Sequence, residues 1–107
     1  MTQPPAHRRG ELWLADLDKR RPVVVLTRDP LGHHLYSVIV GPVTSTVLGL
    51  STEVRVGPED GARVPSVVNL DNVQLMDRRR LVRRVGRVRP DTLHQICDAA
   101  AVAIDGA

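Results

Sequence analysis

Short apolar blocks follow one another through residues 11–88, and their lengths and alternation are typical of β-strands. Residues 11–15 predict a first strand. Residues 22–27 predict a second, whose unbroken Val23-Val24-Val25 run indicates a central strand buried on both faces. Because proline fixes φ and lacks an amide proton, we expect Pro22 to begin that strand, with Arg21 at the rim before it. Residues 16–20 are too few and too polar for more than a tight connection.

The same pattern continues in the middle of the chain. Residues 29–32 predict a turn, and residues 36–40 a third strand antiparallel to the second. Gly41 and Pro42 are expected to interrupt this strand near its end and to re-aim the hydroxyls that follow. Clean alternation predicts a half-buried strand at 52–56, followed by a turn at 57–61. Further extended segments are predicted at 64–70, 73–75 and 82–88.

The last segment changes period and predicts a helix over residues 90–105. Its apolar positions recur every three or four residues and form one stripe that must be buried: Leu93, Ile96, Cys97, Ala100, Ala101 and Ile104. Pro90 suits the first turn and Gly106 the stop. The lone Cys97 is interpreted as a buried structural thiol, with a reactive thiol as the alternative.

Size and composition indicate one domain. The chain has 107 residues, of which 42% are apolar and 25% charged. Residues 1–8 are proline-rich and are expected to form a loose tail before a single domain at 9–107. Such a short chain buries only about two-thirds of its unfolded surface, which favours oligomerisation. With no long apolar run and no signal-peptide pattern, we expect no membrane contact and a cytoplasmic location.

The cations are almost all arginine. The formal net charge is +3, and 14 of the 15 basic side chains are Arg. Guanidinium matches phosphate oxygens with a planar fork of donors, so this bias favours an anionic polymer as partner. An arginine-rich composition inherited from a GC-rich genome explains the same bias, and composition alone does not decide between the two.

Several segments, in order, resemble one known family. They are Arg9-Gly10-Glu11-Leu12-Trp13 with Asp16-Leu17, the run 21–26, Val43-Thr44-Ser45, the run 66–73 with Asp77 and Leu81, and the run 84–88. Together they resemble the MazF/PemK-type toxin endoribonucleases of toxin–antitoxin systems. The resemblance implies a small SH3-like or CcdB-like antiparallel barrel with a C-terminal helix, assembled as a homodimer. It also implies metal-independent, sequence-selective cleavage of single-stranded RNA, and neutralisation by a MazE-like antitoxin with an acidic disordered tail.

The resemblance also assigns a site. Arg21 matches the family's catalytic arginine and Thr44 its catalytic threonine, although a solvated rim arginine and a turn hydroxyl are the structural alternatives. Asn72 stands where many members have glutamine, one carbon longer. The connection at 16–20 is shorter than the long loop that closes over RNA in many members. The expected substrate-binding residues are Ser45, Asn72, Arg20, Gln74 and Arg79.

Other candidate groups are weaker. The adjacent His33 and His34 match no catalytic position of the family and are expected in an exposed loop. They offer no ligand spacing, so we expect neither metal nor other cofactor. Trp13 and Tyr36 are the only aromatic residues, and Trp13 is expected in the core or a dimer contact. The densest basic run either tracks phosphates, is solvated, or docks an acidic antitoxin: Arg78, Arg79, Arg80, Arg83, Arg84, Arg87 and Arg89.

Two alternative functions remain open from the sequence. Related barrels include CcdB-like toxins that bind gyrase without catalysis, and fold alone does not separate them from nucleases. The short connection and Asn72 also fit an RNA-binding barrel without turnover. An RNA-cleaving toxin needs Arg21 and Thr44 together, whereas a gyrase-binding protein does not.

Overall fold

The computed structural model of the chain describes residues 7–28 and 36–105. Within these ranges it contains seven strands and one helix: β1 Glu11–Asp16, β2 Arg20–Val25, β3 Ser37–Thr44, β4 Glu53–Val56, β5 Ser66–Asn69, β6 Gln74–Asp77, β7 Leu81–Arg87 and α1 Pro90–Asp105. Short 3-10 turns occupy Pro58–Asp60, Leu70–Asn72 and Arg78–Arg80. Most of the expected tail, the turn at 29–32, His33, His34 and the Gly106 stop lie outside the described residues.

All strand pairs are antiparallel, in the order β4, β5, β3, β2, β1, β7, with β6 also paired to β3. The predicted mainly β structure with a C-terminal helix is confirmed, but the sheet is not closed into a complete barrel. β4 and β7, the two outermost strands in this order, form no ladder with each other. Instead, the backbone at Gly61, in the segment after β4, packs against the backbone of β7 at Gly86. A Cβ added to Gly61 would lie 2.6 Å from the Gly86 Cα, so neither glycine tolerates a side chain without movement.

β3 serves two parts of the sheet. Its first half, up to Val40, pairs with β6, and Val43 and Thr44 pair with β5. Gly41 and Pro42 lie between the two ladders, so the strand continues through the predicted interruption and changes its neighbour there. A Cβ on Gly41 would approach the Val68 Cγ1 to 2.9 Å, which explains why glycine stands at this junction.

The predicted start of the second strand is wrong, because β2 begins at Arg20 and Pro22 is its third residue. Hydrogen bonds alternate between the two sides of a strand, and Leu26 donates its N–H to the Ile39 carbonyl of β3. The backbone nitrogen of Pro22, like that of Leu26, therefore faces β3. Pro22 lies one residue beyond Val23, where the β2–β3 ladder ends. Its missing amide costs the sheet no hydrogen bond. The prediction of a buried central strand is confirmed, with β2 lying between β1 and β3.

Two apolar clusters fill opposite faces of the sheet. One contains Leu12, Val24, Val54, Val68 and Ile96, and α1 covers it. The other is formed by side chains of β1, β2, β3, β6 and β7. Its members are Trp13, Ala15, Val23, Val25, Val38, Val40, Met76 and Leu81. Successive residues of a strand point to opposite faces, so each run of apolar residues contributes to both clusters. The expected core position of Trp13 is confirmed.

The helix matches its predicted bounds, but its buried face differs from the predicted stripe. Thr92, Ile96 and Ala99 are buried, whereas Ala101 is exposed and Ile104 is 83% exposed. The helix packs on β4 and the Leu70–Asn72 turn, which rotates the contact face toward Thr92 and Ala99. No helix among residues 7–28 and 36–105 is long and apolar enough to span a membrane.

Candidate active site

Arg21 and Thr44 lie at the same end of two neighbouring strands. The β2–β3 ladder ends at the pair Val23 and Pro42. Arg21 stands two residues before Val23, and Thr44 two residues after Pro42, so each lies just beyond the last pair of the ladder, at the same end of the two strands. From Val43 onward β3 pairs with β5 on its other edge, which leaves this end of β2 open. The fold thus brings the two predicted catalytic residues to one rim.

The Arg21 guanidinium is weakly held. The side chain is 54% exposed, and its nearest acidic partner is Asp18, with 3.9 Å between Nε and Oδ1. Asp18 is itself 80% exposed and lies in the three-residue turn between β1 and β2, where its carboxylate accepts the Lys19 N–H at 2.9 Å. An exposed ion pair at this distance contributes little, so the guanidinium is available to a phosphate.

The Thr44 hydroxyl is oriented by its own chain. Its Oγ1 accepts the Thr46 N–H at 3.1 Å, which is the turn chemistry expected as the structural alternative. A hydroxyl that accepts this bond still has a proton to donate, so the turn fixes the oxygen without using its donor. Thr44 is half-buried, and the neighbouring Ser45 is exposed.

Arg20 begins β2 beside Arg21, whereas Arg79 follows β6, whose last residue Asp77 pairs with Ser37 at the other end of β3 from Thr44. Arg20 pairs with Asp16 in the β1–β2 ladder, and the Asp16 carbonyl accepts a bond from the Arg80 Nη1 at 3.4 Å. Arg79 precedes Arg80 in its turn. Its side chain is 91% exposed but tied to Asp77, with 2.8 Å between Nη2 and Oδ2. The hydrogen bonds between Arg79 and Asp77 lower the pKa of Asp77 to about 2 and raise the pKa of Arg79.

Asn72 and Gln74 lie elsewhere along β3. Gln74 pairs with Val40, four residues before Thr44, and its side chain is exposed. Asn72 ends the Leu70–Asn72 turn and is also exposed, while its neighbours Asp71 and Val73 line a groove beside α1. Within this chain the two amides therefore lie along the opposite edge of β3 from β2.

Several arginines of the basic run bond to other residues of this chain. Arg84 bonds Glu11, Arg89 lies beside Glu59 and Asp60, and the Arg78 Nε donates to the His7 Nδ1 at 3.1 Å. These contacts favour structural roles for several members of the run. Arg83 and Arg87 are exposed on β7.

Glu11 is a buried carboxylate that the sequence pattern did not single out. It is 2% exposed and accepts hydrogen bonds from the Arg8 N–H at 2.8 Å, the Trp13 Nε1 at 3.1 Å and the Arg84 Nη1 at 3.0 Å. Burial raises the pKa of Glu11, but these donors lower it more, and the net pKa is below the ordinary value. Residues two apart in a strand share a face, so the placement of Glu11 on the same face as the buried Trp13 was the sequence signal that could have predicted its burial.

Glu53 organises the segment after Thr44, which the sequence also did not reveal. Its carboxylate accepts the N–H groups of Leu48 at 3.1 Å, Gly49 at 2.8 Å and Leu50 at 3.1 Å. Desolvation and the charge of Asp71 raise the pKa of Glu53, but the three amides lower it below its ordinary value. Gly49 has a φ of +77° in this turn, a conformation that favours glycine.

A largely apolar groove of about 340 Å³ runs beside α1, lined by Leu26, Ile39, Leu70, Val73, Ile96, Ala100, Ala103 and Ile104. Cys97 lines this groove and is half-buried, so the thiol predicted to be buried is only partly enclosed, because one side of it faces the groove. The Arg9 Nη2 donates a hydrogen bond to the Cys97 Sγ at 2.7 Å. Among the described residues, no three His, Cys, Asp or Glu side chains are grouped to hold a metal.

Comparison with known proteins gives one family. Residues 8–104 match the model of the PemK-like, MazF-like toxins of type II toxin–antitoxin systems. The chain is 41% identical to "Endoribonuclease MazF3" of Mycobacterium tuberculosis, over 88% of this chain and 91% of that protein. It is 42% identical to "Probable endoribonuclease MazF5" of the same organism, over 98% and 97%.

Solved structures agree. The fold matches "Mycobacterium tuberculosis toxin MazF-mt6" with a TM-score of 0.84 and 40% identity, over 89% of this chain and 96% of that one. It also matches an endoribonuclease from a mycobacterial species solved in complex with its cognate antitoxin, with a TM-score of 0.85 and 27% identity, over 95% and 96%.

Proposed function

The chain belongs to the PemK-like, MazF-like toxin family of type II toxin–antitoxin systems, and we propose that it is a toxin endoribonuclease that cleaves single-stranded RNA. The observation that carries the proposal is the position of Arg21 and Thr44, each two residues beyond the last pair of the β2–β3 ladder and at the same end of it. Relatives at 41–43% identity are named endoribonucleases, which favours RNA cleavage over gyrase binding or RNA binding without turnover. We propose that the protein acts in the cytoplasm, where its RNA substrate is found.

Cleavage without a metal uses the substrate's own 2′-hydroxyl. Its oxygen forms a bond to the adjacent phosphorus while the bond from phosphorus to the 5′-oxygen breaks. The 2′-hydroxyl loses a proton, and the leaving 5′-oxygen gains one. The products are a 2′,3′-cyclic phosphate and a 5′-hydroxyl. The protein has to position the phosphate and stabilise the negative charge that develops on its oxygens.

Arg21 and Thr44 have different roles in this reaction. A guanidinium carries a fixed positive charge and several N–H donors, so the first role of Arg21 is to stabilise negative charge on the phosphate oxygens. The Thr44 hydroxyl, whose oxygen is fixed by the Thr46 N–H, donates its proton to a phosphate oxygen. Proton exchange with the 2′- and 5′-oxygens takes place with water at this open rim.

The proposed RNA path begins at this rim. Ser45 follows Thr44 directly, and Arg20 and Arg79 supply charge near the end of β1. Asn72 and Gln74 remain proposed contacts further along the RNA, on the far edge of β3. The short turn between β1 and β2 leaves the path uncovered on that side.

We propose that the active form is a homodimer. Large apolar side chains are exposed just before β3, on the paired strands β3 and β6, and at the end of α1: Tyr36 at 92%, Ile39 at 44%, Leu75 at 71% and Ile104 at 83%. Monomeric proteins seldom leave such a surface open. Leu75→Asp should convert the dimer to a monomer in sedimentation experiments, and a wild-type monomer would contradict the proposal.

The proposed protein partner is a cognate antitoxin with an acidic, disordered tail. The mycobacterial endoribonuclease solved with its antitoxin supports it. The tail should compete with RNA, so increasing RNA concentration should relieve inhibition by the purified antitoxin. Inhibition that is independent of RNA concentration would place the tail elsewhere.

The test of the proposed function is direct. A randomised pool of single-stranded RNA is incubated with the purified protein in excess EDTA, and 5′-hydroxyl ends are sequenced. We expect fragments that begin at one preferred sequence and end in a 2′,3′-cyclic phosphate. An intact pool would overturn the proposal.

A further inference from the structure

The segment from residue 45 to residue 51, here called the 45–51 loop, has a fixed shape without regular secondary structure. Thr44 holds its entry by accepting the Thr46 N–H. Glu53 holds its far side by accepting three successive N–H groups, those of Leu48, Gly49 and Leu50. The Glu53 N–H also donates to the Leu50 carbonyl at 3.1 Å, which closes the turn.

This rigid loop displays apolar side chains to solvent. Val47 is 50% exposed, Leu48 65% and Leu50 46%. They begin three residues after Thr44, at the same end of the sheet as Arg21. An apolar surface that is held rigid beside a reaction site can bind a ligand with little loss of conformational entropy.

We propose that the 45–51 loop is a base-contacting rim of the RNA site, with Leu48 as a specificity-determining residue and Glu53 as the positioning residue that holds it. The inference rests on the proposed RNA-cleaving function and assigns one part of its sequence preference. The ligand is a base of single-stranded RNA next to the scissile phosphate, unstacked so that its face lies on the leucine side chain.

The distribution of aromatic residues supports an RNA base as the occupant. Bases of single strands usually stack on aromatic side chains. Trp13 is 7% exposed and packed inside, and Tyr36 precedes β3 at the opposite end from Thr44. The chain has no other Phe, Trp or Tyr. Within residues 7–28 and 36–105, the exposed aliphatic side chains that directly follow Thr44 along the chain are those of the 45–51 loop, and a base bound next to Thr44 can cover them.

The first experiment compares Leu48→Ala with the wild type on the randomised RNA pool. Val82→Ala, at a 43% exposed position on β7, is the matched control. We expect Leu48→Ala to lower kcat/KM on the preferred sequence about tenfold and to relax the preference at one base near the cut, with Val82→Ala unchanged. An unchanged rate and profile for Leu48→Ala would overturn the inference and leave the proposed function intact. A wild type that cuts no RNA would instead remove the function itself.

A loop that contacts a protein instead of RNA would give a different result in this experiment. If Leu48→Ala keeps its cleavage profile but escapes the antitoxin or becomes monomeric, the loop is a protein contact and the inference is overturned.

The second experiment tests the positioning role of Glu53. Glu53→Gln should speed hydrogen exchange at the amides of Leu48, Gly49 and Leu50, and should relax the same base preference as Leu48→Ala. Combined with Leu48→Ala it should add little, because both changes remove one contact. Glu59→Gln, which alters an exposed acid beside Arg89, should leave exchange and preference unchanged. Faster exchange with an unchanged base preference would show that Glu53 serves stability alone and would contradict its proposed role.

Discussion

The Thr44 hydroxyl oxygen accepts a hydrogen bond from the Thr46 N–H at 3.1 Å, so the residue proposed to contact the phosphate is already oriented by the turn that follows it. The structural and chemical interpretations of Thr44 are therefore compatible. The turn positions the oxygen, and the proton remains available.

Substitutions at Thr44 separate these contributions. Thr44→Ser keeps the hydroxyl and should retain cleavage within about threefold, whereas Thr44→Val keeps the shape and should lose about 100-fold in rate. Thr44→Val also loses the bond to Thr46, which should lower the free energy of unfolding by about 1 kcal/mol. Single-turnover cleavage and urea unfolding measure the two effects. Full activity in Thr44→Val would remove the hydroxyl from the mechanism.

Glu11 is predicted to be a major stabilising residue. Glu11→Gln places an NH₂ group among three donors and removes the charge that pairs with Arg84, so unfolding free energy at pH 7 should fall by about 2–4 kcal/mol. In Glu59→Gln, where both partners of the pair are exposed, the fall should stay below about 1 kcal/mol. Equal falls in unfolding free energy for the two variants would show that the buried Glu11 stabilises the fold no more than an exposed ion pair does.

His7 is predicted to make stability depend on pH. Burial, together with the Arg78 charge, lowers the pKa of His7 below its ordinary 6.5. The unfolded chain then binds more protons below pH 6.5, so this contribution is complete above that pH and is lost as the pH falls. Unfolding free energy should decrease between about pH 7 and 5. His7→Gln should flatten this slope, and His94→Gln on the exposed side of α1 should not. A slope that survives His7→Gln would refute the assignment.

Two glycines with positive φ should differ in their tolerance of alanine. Gly61 has a φ of +99°, and an added Cβ would meet Gly86 at 2.6 Å, so strain and clash together should cost about 3 kcal/mol or more. Gly49 has a φ of +77°, with no atom within 4 Å of an added Cβ, and only the strain of about 1–2 kcal/mol is expected. Thermal unfolding of the two variants measures the difference. Similar costs would mean that the backbone contact at Gly86 relaxes freely.

Local patterns were sufficient to predict most elements. The Val23-Val24-Val25 run identified a central strand, and the three- and four-residue spacing identified α1, because burial imposes those periods directly. Arg21 and Thr44 were predicted from family resemblance, and the register shows how antiparallel pairing places them at one end.

Features that depend on distant partners escaped prediction. Pro22 lies inside β2 because β3 turns away at its position, which no local rule contains. Glu11 is buried because Arg84, 73 residues away, neutralises it. The exposed Ile104 follows from the angle at which α1 packs on β4. Each outcome depends on tertiary contacts rather than on sequence period.

The central claim is that Arg21 stabilises charge on an RNA phosphate without help from a metal. Its most direct test is the rate of 2′,3′-cyclic phosphate formation in excess EDTA, compared between the wild type, Arg21→Ala and the exposed control Arg63→Ala. We predict wild-type cleavage in EDTA, a loss of about 1,000-fold in Arg21→Ala and a rate within about twofold of wild type in Arg63→Ala. Cleavage that EDTA abolishes, or an Arg21→Ala variant that cuts at the wild-type rate, would contradict the claim.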